Sequence, residues 1–147
     1  MAYNTIMTKV RSIFQEGYPL TASGSITPGM LCIFAGTTTL TISPHSNASV
    51  IPSPMLVAVE APYRNGSGIN DAYDEDGENV EVQYLLPGDH FYGLLSAGEI
   101  VDSYADRLGS DAAGALQIAT TYAFLRPLEL VDNTYGIASV RILVEVL

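Results

Sequence analysis

From Thr27 to the C-terminus the chain is written in short apolar or alternating runs, each bounded by Gly, Pro, Asn, Asp or Ser. That pattern predicts strands joined by turns, and hence an all-β domain. The runs place strands at 30–35, 38–42, 55–61, 79–86, 90–95, 115–119, 122–131 and 137–147. Alternation is clearest where Val80, Val82, Tyr84 and Leu86 interleave with Asn79, Glu81 and Gln83. It recurs where Val140, Ile142, Val144 and Val146 interleave with Ser139, Arg141 and Glu145. A period of two sets one face of each strand on a core and the other toward water. Pro127, inside YAFLRPLEL, removes a ladder donor, which predicts an edge or a bulge open to pairing with another chain.

Ahead of these runs the period changes. Ile6, Val10, Ile13 and Phe14 recur at helical spacing within 4–16, with Gly17 as a stop and Pro19 beyond it. A helix of about 12 residues is marginal alone, so the segment either docks on something or forms an arm.

Composition narrows the function classes. The chain has 147 residues, enough for one ordinary domain, and 48% of them are hydrophobic, which favours a folded chain over a disordered one. Lys9 is the single lysine beside five arginines, and the net charge is −10. Phosphate contacts need clustered positive charge, so neither nucleic acid nor an anionic membrane surface is an expected partner. No apolar run approaches the roughly 20 residues that span a bilayer, and no leader pattern opens the sequence, so synthesis in a cytoplasm is expected. Ten of the sixteen acidic residues fall between Asn65 and Asp106 with no Lys or Arg among them, which localises the charge.

Candidate chemistry can be tested by counting ligands and spacings. DAYDEDGE suggests calcium, but aligning Gly77 with the glycine of an EF-hand loop puts Ala72 and Gln83 at ligand positions, where neither serves. NGSGI at 65–69 lacks the third glycine and following helix of a phosphate cradle. PGDH at 87–90 resembles the strand turns of cupin barrels, whose metals need several His or carboxylate ligands; here His45 and His90 are the only histidines. Cys32 lies in the apolar run MLCIF and reads as a small buried hydrophobe, and no Gly-x-Ser-x-Gly elbow occurs. We therefore expect no enzyme, no catalytic residue, no metal and no cofactor. The nine tyrosines fit strand propensity, and Tyr63, Tyr73 and the 64–77 loop define an alternative: a surface module binding a glycan or host receptor.

The segments ITPGMLCIF (26–34), VAVEAPYRNGSGINDAYDEDGENVEVQYLLPGDHFYGLL (57–95), SAGEIVDSYADRLGSDAAGALQI (96–118) and ASVRILVEVL (138–147) occur in an order that resembles the head decoration, or cement, proteins of tailed bacteriophages. The resemblance implies a β-rich domain, a homotrimer at three-fold positions of an expanded capsid, and an N-terminal arm reaching the major capsid protein. It thus implies a structural virion protein on the outer capsid surface that stabilises contacts between major capsid subunits. Patterning and resemblance together lead us to expect an all-β fold, a small β-barrel or sandwich (β-tulip-like), at 29–147. Residues 1–28 are expected to form a capsid-binding arm with room for a short helix, in which Ile6, Lys9, Arg11, Ile13 and Phe14 supply attachment.

Overall fold

The computed structural model describes residues 6–9, 20–60, 68–73 and 79–147. The first part of the chain forms β1 (Met7–Lys9), β2 (Thr21–Ala22), β3 (Leu31–Ala35), β4 (Thr41–Pro44), β5 (Leu56–Ala58) and β6 (Val82–Tyr84). The second forms β7 (His90–Leu95), β8 (Ile100–Val101), β9 (Leu108–Ser110), β10 (Leu116–Ile118), β11 (Leu125–Pro127), β12 (Val131–Asp132) and β13 (Val140–Val146). No helix occurs among the described residues. The fold is all-β, and each of the predicted runs overlaps an observed strand.

Strands β7, β10, β9, β11 and β13 pair in that order, and β13 returns to β7, so the five close into a barrel. The inward face of β13 carries Ile142, Val144 and Val146, all buried, as its alternation predicts. They meet Phe91 and Leu95 of β7, Leu108 of β9, Leu116 of β10 and Leu125 of β11 in one apolar cluster. Pro127 pairs with Val144 on one side, whereas the ladder from β9 reaches only Leu125. Its missing donor therefore faces a local gap in the ladder, the position that proline tolerates.

The remaining sheet runs β2-β4-β3-β5-β6, and a bridge between Thr21 and Asn79 draws its edges together into a curled half-barrel. The two bodies share a wall. Along β3, β5 and the β6 exit, Leu31, Val57 and Leu85 enter the barrel-side cluster, while Cys32, Leu56, Ala58, Val82 and Tyr84 line the half-barrel cluster. Coverage on both faces explains why β5 is buried at all three positions. It also overturns part of the predicted alternation. Gln83, expected outside, is buried; Leu86, expected inside, is exposed; and Leu85 takes the core position because the strand ends at Tyr84 and the chain turns.

The expected helical segment also differs. Met7–Lys9 runs antiparallel to β7, with Met7 opposite Phe91 and Lys9 opposite His90, and the Tyr92 N–H donates to the Ile6 carbonyl at 2.8 Å. The leading half of β7 would otherwise expose a row of unpaired backbone groups, and pairing them outweighs a marginal local helix. Residues 10–19, which hold the rest of that pattern, lie outside the described residues. On their far side the chain is fastened again, by β2 on β4 and by Val80 N–H to Leu20 O at 2.8 Å. Ile26 then bridges Tyr73, so the sheets begin well before residue 29.

Candidate functional site

Near the second end of β7 stand the two most exposed large apolar side chains among the described residues. Strands β8 and β12 form a separate two-stranded ribbon, with Val131 opposite Val101 and Asp132 opposite Ile100. The chain then makes a loop through residues 133–138 before entering β13. Asn133 organises it from inside: its buried side-chain amide lies within donating distance of Leu95 O at 3.3 Å, Ser96 O at 3.0 Å and Ala138 O at 3.0 Å. Its backbone N–H donates to Glu99 O at 2.9 Å, while its carbonyl accepts from Gly98 and Gly136, each at 3.0 Å. A Cβ at residue 136 would fall 1.8 Å from Asn133 Oδ1, so any other residue there displaces the Asn133 amide from its bonds. This scaffold holds out two large side chains: Tyr135 is 96% exposed and Ile137 fully exposed. Ile100 on the ribbon and Leu130 just before it are about half exposed.

The surroundings are acidic. Residues 99–102 and 129–138 contain Glu99, Asp102, Glu129 and Asp132 and no Lys or Arg. Several of these carboxylates are fixed by backbone N–H groups: Glu99 accepts from Ile118 at 3.0 Å, Glu129 from Leu143 at 2.7 Å, and Asp132 from Thr134 at 2.9 Å. The Thr134 hydroxyl, and then its N–H, hold the Asp132 carboxyl below the usual range, so it remains charged.

No protein-family model matches this chain, and no curated protein matches it. Its function must therefore be read from the placement of its own residues.

The groups singled out by sequence are dispersed. Ile6 is fully buried in the barrel-side cluster, so it fastens the N-terminal segment to the core and offers nothing to a partner. Lys9 closes β1, whereas Arg11, Ile13 and Phe14 lie outside the described residues, as does Tyr63. Tyr73, proposed for a recognition surface, is fully buried; its hydroxyl donates to Val59 O at 2.8 Å. It pins one side of the acidic loop, of which residues 74–78 lie outside the described residues. Burial pushes the Cys32 thiol up to about 12, against a smaller opposing pull from the Ala58 backbone, and this keeps it a neutral core group.

The two histidines serve different elements. His45 is buried between the bodies, and its Nδ1 lies 2.8 Å from Ser110 Oγ on β9. The Ser110 hydroxyl also lies 2.8 Å from Asp111 O, and when it donates there His45 donates to it through Nδ1. Both side chains are buried, and the contact joins the chain after β4 to β9 as a staple. Desolvation lowers the His45 pKa, with Asp111 pulling the other way. His90 instead joins an outer row across three strands, in which Glu145 contacts His90 at 3.5 Å and also pairs with Arg126. Partial burial tends to raise the Glu145 pKa, but Arg126 and then His90 outweigh it and lower it. In the PGDH run, Leu86 O accepts from Asp89 N–H at 3.0 Å and Gly88 has φ 92°, a type II turn with Pro87 ahead of the glycine. Buried Asp89 returns a bond from Leu86 N–H at 2.9 Å, which makes it a turn brace. Among the described residues no group of three or more His, Cys, Asp or Glu is placed to hold a metal ion.

Sequence reasoning passed over Tyr135 and Ile137. The run DNTYG predicts a turn at Tyr135, whereas the pattern assigns Ile137 to the strand at 137–147; β13 begins only at Val140, which leaves Ile137 in the loop.

Proposed function

We propose that this chain is a structural virion protein that binds the outer surface of an expanded bacteriophage capsid and stabilises contacts between major capsid subunits, acting as a homotrimer. The observation that carries this reading is the fastening of the N-terminal segment. Residues 10–19, with Arg11, Ile13 and Phe14, stand between β1, paired to the barrel strand β7, and β2, paired to the half-barrel strand β4. Force applied there enters two packed bodies through backbone ladders. A protein that binds the expanded shell in preference to its precursor stabilises it as any state-selective ligand does, and repetition over a lattice lets each contact be weak. The segment-order resemblance to decoration proteins and the all-β architecture support the same role. Burial of Tyr73 takes away half of the aromatic pair on which a glycan-binding alternative rested.

The test uses the full chain, since Ile6, β1 and β2 belong to its sheets. Purified protein mixed with expanded shells should co-sediment and appear at three-fold positions in an image reconstruction. The double variant Arg11→Glu/Phe14→Ser should keep its melting temperature and its trimeric mass while losing most shell binding. Absence of wild-type binding would remove the capsid reading, and full binding by the variant would remove this segment from it.

A further inference from the structure

Reinforcing a junction between two subunits requires contact with both, and β7 carries suitable features at its two ends. At its start, His90 and Phe91 hold β1 and so the segment that follows Lys9. At its end, Leu95 and Ser96 hold Asn133 and so the loop that presents Tyr135 and Ile137. Six strand residues at the usual rise separate the two by roughly 17 Å.

We propose that the 133–138 loop is a second attachment point, seating Tyr135 and Ile137 in an apolar pocket on a neighbouring capsid subunit whose rim is basic. The inference rests on the capsid-binding reading above and adds a residue-level contact to it. The rigid support from Asn133 means that little side-chain and loop freedom remains to be lost on docking, as suits an anchor. Tyr is enriched among the residues that dominate interfaces, and an isoleucine exposed this fully has its whole side chain left to bury.

Charge selects the occupant. Asp132 adjoins the loop, and Glu99, Asp102 and Glu129 lie on or next to the ribbon that carries it, with no Lys or Arg within 99–102 or 129–138, so a complementary rim carries Lys or Arg. A second copy of this chain docked tip to tip would bring the same acidic rim against the first, so this tip is not read as the contact that makes the trimer. An anionic bilayer is repelled for the same reason.

The experiment compares wild type, Tyr135→Ser/Ile137→Ser, Ile137→Lys and Ile137→Glu on expanded shells, reading bound fraction against concentration and the temperature at which shells open. All these positions are exposed, so unchanged circular dichroism and melting temperature serve as the folding control. The double serine variant should bind roughly tenfold or more weakly per copy and should cease to raise the opening temperature even at full occupancy. Ile137→Lys should bind more weakly than Ile137→Glu, because only lysine repels a basic rim. Wild-type affinity and shell protection in the double variant would overturn the tip contact while leaving the capsid reading intact. Equal binding by the lysine and glutamate variants would overturn the basic rim. Failure of wild type to bind shells at all would overturn both readings. Transfer of wild type, but not the double variant, to zwitterionic phosphatidylcholine vesicles would assign the tip to a membrane instead.

Discussion

Replacing Gly93 by alanine tests how the barrel interior is filled. Gly93 lies on the inward face of β7 opposite Ile142, between Phe91 and Leu95. A methyl built there would stand 2.6 Å from Leu116 Cδ1, 3.2 Å from Leu116 Cγ and 3.3 Å from Phe91 Cε2. Comfortable carbon contacts begin near 3.5 Å, so the new methyl needs about 1 Å that Leu116, fully buried, has no free space to yield. Overpacking of this kind costs about 1–3 kcal/mol, and the smaller unfolded-state entropy of alanine returns ~0.4–1 kcal/mol. The expected net loss is about 1–2 kcal/mol, or a drop of roughly 2–8 °C in melting temperature for a domain of this size. Leu116→Ala alone should cost ~2–5 kcal/mol through the cavity it leaves. In the double variant the methyl added at position 93 occupies part of that cavity, so the two losses should fall short of additivity by about 1–2 kcal/mol. Nine tyrosines and no tryptophan make urea unfolding followed by tyrosine fluorescence and circular dichroism the natural assay. Additivity within ~0.5 kcal/mol, or a stabilising Gly93→Ala, would refute the account of Gly93 as the space into which Leu116 packs.

Two further substitutions probe the junctions between the bodies. Desolvation holds the folded His45 pKa below its ordinary value of about 6.5, so at acid pH the unfolded chain binds a proton that the folded chain resists. Its contribution is therefore complete above pH ~6.5 and declines as pH falls toward the folded value; the melting-temperature gap between wild type and His45→Gln should shift between pH 7.5 and 5.5 in favour of the variant, and a constant gap would count against the staple. Arg141 donates to Pro28 O at 2.9 Å and also to Ile69 O, joining β13 to the half-barrel side; burial lowers its pKa, with Glu60 acting in the other direction. Arg141→Lys cannot span both carbonyls from one ammonium and should cost about 1.5–3 kcal/mol by thermal denaturation, whereas an unchanged melting point would show that the fork carries no stability.

The strands that could be read in advance are those whose own pattern declares a face. The seven residues of β13 alternate cleanly because one side meets the barrel core and the other does not, and the PGD and SAGE turns punctuate the chain as their glycines require. Strands β1, β2, β8 and β9 hold two or three residues each and lie outside the predicted runs, because their own few residues show no period and their flanks carry no strand-like pattern. Gln83 is buried for a related reason, since a strand in a wall shared by two cores has no solvent face for a period of two to reveal, while Leu86 is exposed because the strand ends at Tyr84. The candidate surface was not legible: Tyr135 stands in a turn-forming run, but Ile137 reads as the first residue of the last strand, which starts only at Val140.

By itself, then, the amino-acid order determined the all-β class, most strand positions and the concentration of negative charge, because these depend on neighbours within a few residues. Tertiary structure decided that five strands close into a barrel while five curl beside it, that Ile6 and Tyr73 are interior, and that Asn133 braces an exposed apolar tip. Those outcomes depend on which distant backbone groups remain to be paired and which surfaces remain to be covered once the local strands have formed, and no window along the chain contains that information.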